Sequence, residues 1–187
     1  MVWSAMLVCD RQTLRQELVR LHVVAASDSA EDQAIKLHLK DAVISSLKAD
    51  LEKLKNAEEA TAYLQENLPK IEALANRILR EAGCGDAARV SLREEEFPIR
   101  RYDTFSLPSG VYQSLRITIG TGEGQNWWCV AFPGLCLPAT TAGFEDAASC
   151  AGLSDGLTAT LEEKDGYEIR FWLLDAIGRL EIFLHQE

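Results

Sequence analysis

The sequence predicts an α+β domain, a mostly antiparallel sheet with two or three helices packed on one side. Apolar residues at helical spacing fill the first half of the chain, and alternating strand patterns fill the second half. A chain of 187 residues with 47% hydrophobic residues can bury one sizeable core. We therefore expect one domain over residues 18–187, preceded by a lead-in or leader remnant at residues 1–17.

Long helices are predicted between residues 30 and 81. Ser29 is the expected N-cap of the first helix, with Asp32 as the acidic partner of a capping box. Asn56 gives a second cap signal, and Pro69 is expected to kink that helix or to open a third one. The stripe that predicts the first helix, over residues 30–55, consists of Ile35, Leu39, Val43, Leu47, Leu51 and Leu54.

Strands are predicted at residues 18–25, 89–95, 102–107 and 111–119. The last of these alternates in hydrophobicity, which indicates a sheet covered on one face. Residues 127–132 are expected to pair with it as a hairpin across a glycine-containing turn. The side chains expected to point outward from residues 111–119 are Tyr112, Ser114, Arg116 and Thr118.

The last fifty residues give weaker patterns. Residues 138–166 lack periodicity and are rich in Ala, Thr, Ser, Asp and Gly, so we expect a long, mobile loop. Residues 167–172 are predicted as a strand, and the apolar residues after them suggest a closing helix that contains Gly178.

Charge and composition exclude several classes of partner. A net charge of −10 argues against binding to nucleic acid or to an anionic membrane surface, and fits a basic patch on a protein partner better. No run approaches the roughly eighteen apolar residues of a membrane span. The three histidines, His22, His38 and His185, show no metal-ligand spacing, so neither a metal nor another cofactor is expected.

Residues 122–136, GEGQNWWCVAFPGLC, form the densest stretch of the chain. Adjacent tryptophans on a strand point to opposite faces, so one indole of Trp127 and Trp128 is expected in a core and the other at the surface. The outward indole either covers a neighbouring loop or belongs to a binding surface. The hypothesis of a partner-binding surface combines this turn, including Asn126, with Arg20, His22 and Asp28.

This stretch resembles the signature of the stage II sporulation protein R family. Three further segments agree with the family: residues 20–29 (RLHVVAASDS), residues 107–112 (LPSGVY) and residues 167–172 (YEIRFW). The resemblance implies a protein secreted from the forespore into the space between forespore and mother cell. There it would activate a membrane-embedded aspartic protease, which matures a sigma-factor precursor. The protein itself would catalyse nothing.

The resemblance also bears on the cysteines and on the start of the chain. Cys129 and Cys136 both lie in the family motif and form the expected disulfide pair in an oxidising compartment; the alternative is two buried thiols. Family members carry a hydrophobic leader, whereas residues 1–9 have no basic residue ahead of their apolar run and no cleavage site. Ala26 stands where the family usually has Asn.

Two other functions remain open from the residues. A cysteine hydrolase would use Cys129 as the nucleophile, His22 as the base and Asp28 or another carboxylate to orient the imidazole, although these residues lie far apart in sequence. A glycan-binding module would stack sugar rings on Trp127, Trp128 and Tyr112. No clustered Asn and Asp side chains accompany these rings, so the second alternative ranks below a protein-interaction surface.

Overall fold

The computed structural model of the protein describes residues 2–102, 105–133, 153, 155–162 and 168–185, and gives the side chains of all of these except 2–8 and 168. Five helices lie in the described chain: α1 (Val2–Glu17), α2 (Ala30–Leu51), α3 (Ala57–Glu81), α4 (Asp155–Leu161) and α5 (Glu168–His185). The strands are β1 (Val19–Val24), β2 (Ala88–Phe97), β3 (Arg100–Arg101), β4 (Ser106–Leu107), β5 (Gly110–Ile119) and β6 (Asn126–Phe132).

The main sheet has the strand order β2-β5-β1-β6, with β3 and β4 forming a separate two-stranded sheet. β5 pairs antiparallel with β2 and parallel with β1, and β1 pairs antiparallel with β6. This confirms the α+β class with a mostly antiparallel sheet. The predicted hairpin between β5 and β6 is wrong, because β1 lies between them. The connection at residues 120–125 is long enough to cross one strand, a step of about 10 Å between β5 and β6.

The helices α2 and α3 cover one face of the sheet, as predicted for residues 30–81. Pro69 lies inside a single continuous helix rather than starting a new one. Gln65, the residue whose carbonyl loses its helical donor at Pro69, is exposed, so water can replace that bond. The core on this face includes Leu21, Leu39, Val43, Leu64, Leu79, Leu115 and Ile117.

A second core covers the opposite face of the sheet, where the sequence predicted solvent. Tyr112 and Ser114, expected to point outward, are buried there. The helices α1 and α5 contribute Leu14 and Leu174 to this core. The alternation along β5 therefore separates two cores rather than a core and solvent. Hydrophobic residues on α1 and α5 made this second layer, and the strand pattern alone does not report it.

The predicted strand at residues 167–172 is wrong for residues 168–172, which form the first turns of α5. Phe171, Leu174 and Asp175 are buried at helical spacing, so the apolar residues of this segment belong to the helical pattern that follows it. Gly178 allows α5 to approach the turn before β5, since a Cβ atom there would lie 1.7 Å from the carbonyl oxygen of Ser109. The Ser109 N–H donates to the Asp175 carboxylate at 2.8 Å and fixes this contact.

The helix α4 lies within the stretch predicted as a mobile loop, and most of the rest of residues 138–166 lies outside the described residues. Of the described residues in the predicted strand at 102–107, which are 102 and 105–107, the structure assigns Ser106–Leu107 to a strand. Among the helices that the structure describes, none combines the length and the hydrophobicity that a bilayer crossing requires.

Candidate functional site

Two loops that lie far apart in sequence are joined at the end of the sheet where β1 stops and β6 begins. We name residues 25–29 the capping loop and residues 120–125 the glycine turn. The Gly124 N–H donates to the carbonyl of Ala25 at 3.0 Å, and the Gln125 N–H donates to the Asp28 carboxylate at 2.8 Å. The Glu123 N–H donates to Ala26 at 3.3 Å. The two loops thus form one continuous surface element.

Glycine is required at three positions of this element. Gly120 and Gly122 adopt φ values of 57° and 69°, which residues with a Cβ atom rarely adopt. At Gly124 the reason is space, because a Cβ atom would lie 2.2 Å from the carbonyl oxygen of Ser27. Two of the glycines therefore allow the backbone to turn, and the third allows it to approach the capping loop closely.

Lys36, in the second turn of α2, ties the helix to both loops. Its side chain is buried, and its ammonium group donates to the carbonyl of Gln125 at 3.0 Å. Burial lowers the pKa of Lys36, and the nearby Asp28 carboxylate opposes that shift. One helical turn earlier, the Gln33 amide donates to the carbonyl of Ser27 at 2.8 Å. The start of α2 therefore holds the glycine turn against the capping loop.

The capping of α2 is confirmed at Ser29, whose hydroxyl accepts a hydrogen bond from the Asp32 N–H at 3.1 Å. The Asp32 carboxylate does not return this bond to the Ser29 N–H as in a capping box. It accepts from the Ser27 hydroxyl, and Ser27 in turn accepts from the Ser29 N–H at 3.2 Å. The serine two residues before the predicted pair completes the cap.

His22 stands at the centre of a polar and aromatic cluster beneath the glycine turn. Its Nε2 lies 2.8 Å from Asn126 Oδ1, and its Nδ1 lies 3.2 Å from Glu95 Oε2. The imidazole stacks on Trp128 with 3.8 Å between centroids, and Phe97 meets it edge-on at 6.1 Å. Because His22 is only 3% exposed, it anchors Asn126 and Trp128 from inside the protein.

Glu95 supplies the negative charge of this cluster. Burial alone would raise the pKa of its carboxyl group, but hydrogen bonds from His22 and Arg116 outweigh burial and lower the pKa to about 2. Arg116 lies 2.7 Å from the carboxylate, and Arg93 lies 3.0 Å from it. Glu95 is therefore an anion that contacts one side chain on each of three strands, His22 on β1, Arg93 on β2 and Arg116 on β5.

The two tryptophans occupy opposite faces of β6, as predicted. Trp127 pairs with Val23 and remains 36% exposed, whereas Trp128 pairs with His22 and is partly buried against the second core. The ammonium group of Lys40 lies 4.5 Å from the centroid of the Trp127 ring, in a cation–π contact. Trp127 thus has one face on α2 and an edge toward solvent.

Arg20 lies apart from the surface. Its side chain is fully buried, and its Nε donates to the carbonyl of Cys129 at 3.0 Å. The guanidinium group packs over the ring of Phe97 at 4.4 Å. Of the six residues in the predicted surface, the structure brings His22, Asn126 and Trp128 into direct contact. It places Asp28 and Trp127 beside them at the surface and Arg20 inside.

Sequence reasoning missed Glu95, Lys36 and Lys40 as parts of this site. Glu95 belongs to a run of three acidic residues on β2 that carries no distinguishing signal. The position of Lys36 could have indicated its role, because it lies on the inward side of a helix, four residues after Asp32. A lysine is rarely buried there unless a partner group accepts its hydrogen bonds or balances its charge. Lys40 follows Lys36 by one helical turn on the same side of α2.

The predicted cysteine hydrolase site is not assembled. Cys129 pairs with Leu21, and its side chain faces the core under α2 and α3. The side chain of His22 lies on the opposite face of the sheet, where it stacks on Trp128. Asp28 accepts from the glycine turn, and the carboxylate beside His22 is that of Glu95. The described residues contain no group of three side chains suited to bind a metal ion.

The aromatic platform proposed for glycans is not formed either. Tyr112 is 1% exposed, Trp128 is stacked on His22, and Trp127 faces the opposite side of β6. A sugar ring cannot stack on all three rings. Cys136, the predicted disulfide partner of Cys129, lies outside the described residues, so that pairing stays a prediction. Cys9 and Cys84 are free thiols.

Comparison with known proteins gives two matches. The family described as Stage II sporulation protein R (spore_II_R) matches residues 15–142. The Stage II sporulation protein R of Bacillus subtilis (strain 168) is 30% identical over 182 residues, covering 88% of this chain and 81% of the relative. No solved structure matches the chain. The family match includes β1, the capping loop, the glycine turn and β6.

Proposed function

Because the chain belongs to the stage II sporulation protein R family, we propose that it is a signalling ligand that activates a membrane-embedded aspartic protease. Activation then leads to cleavage of a mother-cell sigma-factor precursor. The protein acts outside the cytoplasm, in the space between forespore and mother cell. In this role it binds a partner and breaks no covalent bond itself.

One observation carries this proposal: the joined loops form a rigid, exposed surface with a tryptophan at its edge. Glu123, Gln125, Asn126 and Trp127 are all exposed, yet the backbone around them is fixed by hydrogen bonds to the capping loop. A surface that is already ordered loses little conformational entropy on binding. An exposed indole on such a surface is typical of an interface anchor.

The cluster below the turn supports the same role. His22 and Trp128 are held by Glu95, Asn126 and Phe97, so the turn rests on side chains that cannot easily move. The arrangement resembles a binding loop on a rigid scaffold. Lys40 contacts Trp127, and the exposed carboxylates of Asp28 and Glu123 lie on the two joined loops, so the surface suits a partner that offers charged groups and an apolar pocket.

Reconstitution tests the proposal. The full chain, with an export leader, would be produced together with the membrane protease and the sigma-factor precursor, and cleavage of the precursor would be measured. We expect cleavage with the wild-type chain, strongly reduced cleavage with Trp127→Ala, and normal cleavage with Arg77→Ala, an exposed position on α3.

Two results would contradict the proposal. The first is precursor cleavage that does not depend on this chain. The second is cleavage by the purified chain alone when the membrane protease is omitted, which would make the protein an enzyme rather than a ligand.

A further inference from the structure

Helix α5 exposes an unusual amount of hydrophobic surface. In the described part of the chain, only two other large hydrophobic side chains are exposed, Leu37 and Trp127, at 39% and 36%. The exposed residues of α5 are Ile169 (68%), Trp172 (65%), Leu180 (58%), Phe183 (62%) and Leu184 (60%). Isolated exposed hydrophobics need no explanation, but five on one helix indicate a surface that another body covers.

Four of these residues form one straight stripe together with Ala176, and Leu184 lies about 40° to one side of it. At 3.6 residues per turn, Ile169, Trp172, Ala176, Leu180 and Phe183 fall within an arc of roughly 80°. Ala176 is exposed as well and lies at the middle of the stripe. We call these five residues the α5 stripe. From Ile169 to Phe183 it extends over about 21 Å, at 1.5 Å per residue.

The α5 stripe has the same spacing in both directions from its centre. Trp172 and Leu180 lie four residues before and after Ala176, and Ile169 and Phe183 lie seven residues before and after it. A two-fold axis requires one patch to be complementary to itself. An antiparallel copy centred on Ala176 would place Trp172 against Leu180 and Ile169 against Phe183. The small central side chain would let the two helices approach closely.

We propose that the α5 stripe is the contact surface of a homodimer, in which two copies of α5 cross antiparallel at Ala176. This goes beyond activation of the protease and concerns a different surface from the glycine turn. Side chains of this size at these exposures offer on the order of 100 Å² each. The four large ones on both copies then bury about 800 Å², and their flanking residues bring the total to roughly 1,000 Å², the size of a weak or transient interface.

The charges of α5 favour a second copy over a lipid surface. Helices that lie on membranes carry free lysine and arginine on their polar face. On α5 the arginines are in ion pairs within the protein, Arg170 with Asp10 and Arg179 with Asp175 at 2.7 Å. The chain as a whole carries a net charge of −10, which anionic lipids repel.

Sedimentation equilibrium of the full chain between 1 and roughly 200 μM tests the proposal, since weak specific dimers form in this range. We expect a monomer–dimer equilibrium, and Trp172→Glu and Leu180→Glu should each weaken it at least tenfold. Their thermal melts should match that of the wild type at low concentration, where the chain is monomeric. Leu37→Glu, at a matched exposed hydrophobic site on α2, should leave it intact. A monomer at every concentration would overturn the proposal, as would a dimer that both stripe variants leave unaffected.

Cross-linking tests the position of the two-fold axis. In a Cys9→Ser background, Ala176→Cys should form a disulfide dimer on oxidation, because Cα atoms at a close helix crossing come within reach of such a bond. Ala62→Cys, an exposed alanine on α3, is the matched control and should stay monomeric. Equal cross-linking at both sites would reject the antiparallel arrangement.

Vesicle flotation separates the dimer from the membrane alternative. Vesicles of phosphatidylcholine with phosphatidylglycerol, and vesicles of phosphatidylcholine alone, would be mixed with the wild-type chain and with Trp172→Glu. We expect no flotation of either protein. Stripe-dependent flotation of a chain that is monomeric in solution would overturn the proposal in favour of a lipid-binding helix.

Discussion

The imidazole of His22 lies flat on the indole of Trp128, with 3.8 Å between the ring centroids and 16° between the ring planes. The two residues are direct partners on neighbouring strands, β1 and β6. The next residue along β6 toward its start, Trp127, faces the other way and reaches solvent. The two adjacent tryptophans therefore have different roles, since Trp128 packs inside the protein and Trp127 lies at its surface.

The first prediction distinguishes the structural role of Trp128 from the binding role proposed for Trp127. Trp128→Ala should lower the free energy of unfolding by roughly 3 kcal/mol, because it removes the ring that packs on His22 and Phe97. Trp127→Ala should cost less than about 1 kcal/mol in stability and should weaken protease activation by about thirtyfold. Urea denaturation and the reconstituted cleavage assay measure the two effects. If both variants unfold, or both remain fully active, the two tryptophans serve only to pack the fold and the interface lies elsewhere.

The second prediction concerns pH. Because the folded state lowers the pKa of Glu95 from 4.5 to about 2, its ionised form stabilises the fold above pH 4.5, and this contribution is lost as the pH falls toward 2. After allowance for solvent screening, the contribution is on the order of 1–2 kcal/mol. The free energy of unfolding would be measured at about pH 6 and about pH 2.5, which enclose most of this titration. The loss of stability between these two pH values should be smaller for Glu95→Gln than for the wild type. Parallel curves would mean that Glu95 does not carry the effect.

The third prediction uses two glycines with different surroundings. Gly124→Ala should destabilise the protein by about 1–3 kcal/mol, because the new methyl group meets the carbonyl oxygen of Ser27. Gly85→Ala is the matched control, since no atom lies within 4 Å of its Cβ position, and should change stability by less than about 0.5 kcal/mol. Thermal melts compare them. Equal effects would show that contact with the capping loop does not constrain the turn.

The fourth prediction concerns the cysteines. Protein made in an oxidising compartment should contain a Cys129–Cys136 disulfide, while Cys9 and Cys84 react with an alkylating reagent. Closing this short loop should add roughly 2–3 kcal/mol to the stability of the oxidised protein. Peptide mapping by mass spectrometry without reduction identifies the pair. Alkylation of both Cys129 and Cys136 would contradict the prediction.

The sequence by itself determined the local elements of the fold. The apolar stripe of α2, the caps at Ser29 and Asn56 and the alternation in β5 and β6 all depend on neighbours a few residues away. The opposite directions of Trp127 and Trp128 follow from the geometry of any strand. Such features are predictable because short-range sterics and hydrogen bonds produce them.

Tertiary structure alone decided the strand order and the site. Nothing in the spacing of β5 and β6 reveals that β1 inserts between them, because that choice depends on competing pairings across about a hundred residues. The same insertion places His22 against Trp128 and Glu95, and turns Cys129 away from His22. Burial of Arg20 and Tyr112 likewise results from a second layer formed by distant helices. These outcomes depend on long-range packing energy, which no local pattern encodes.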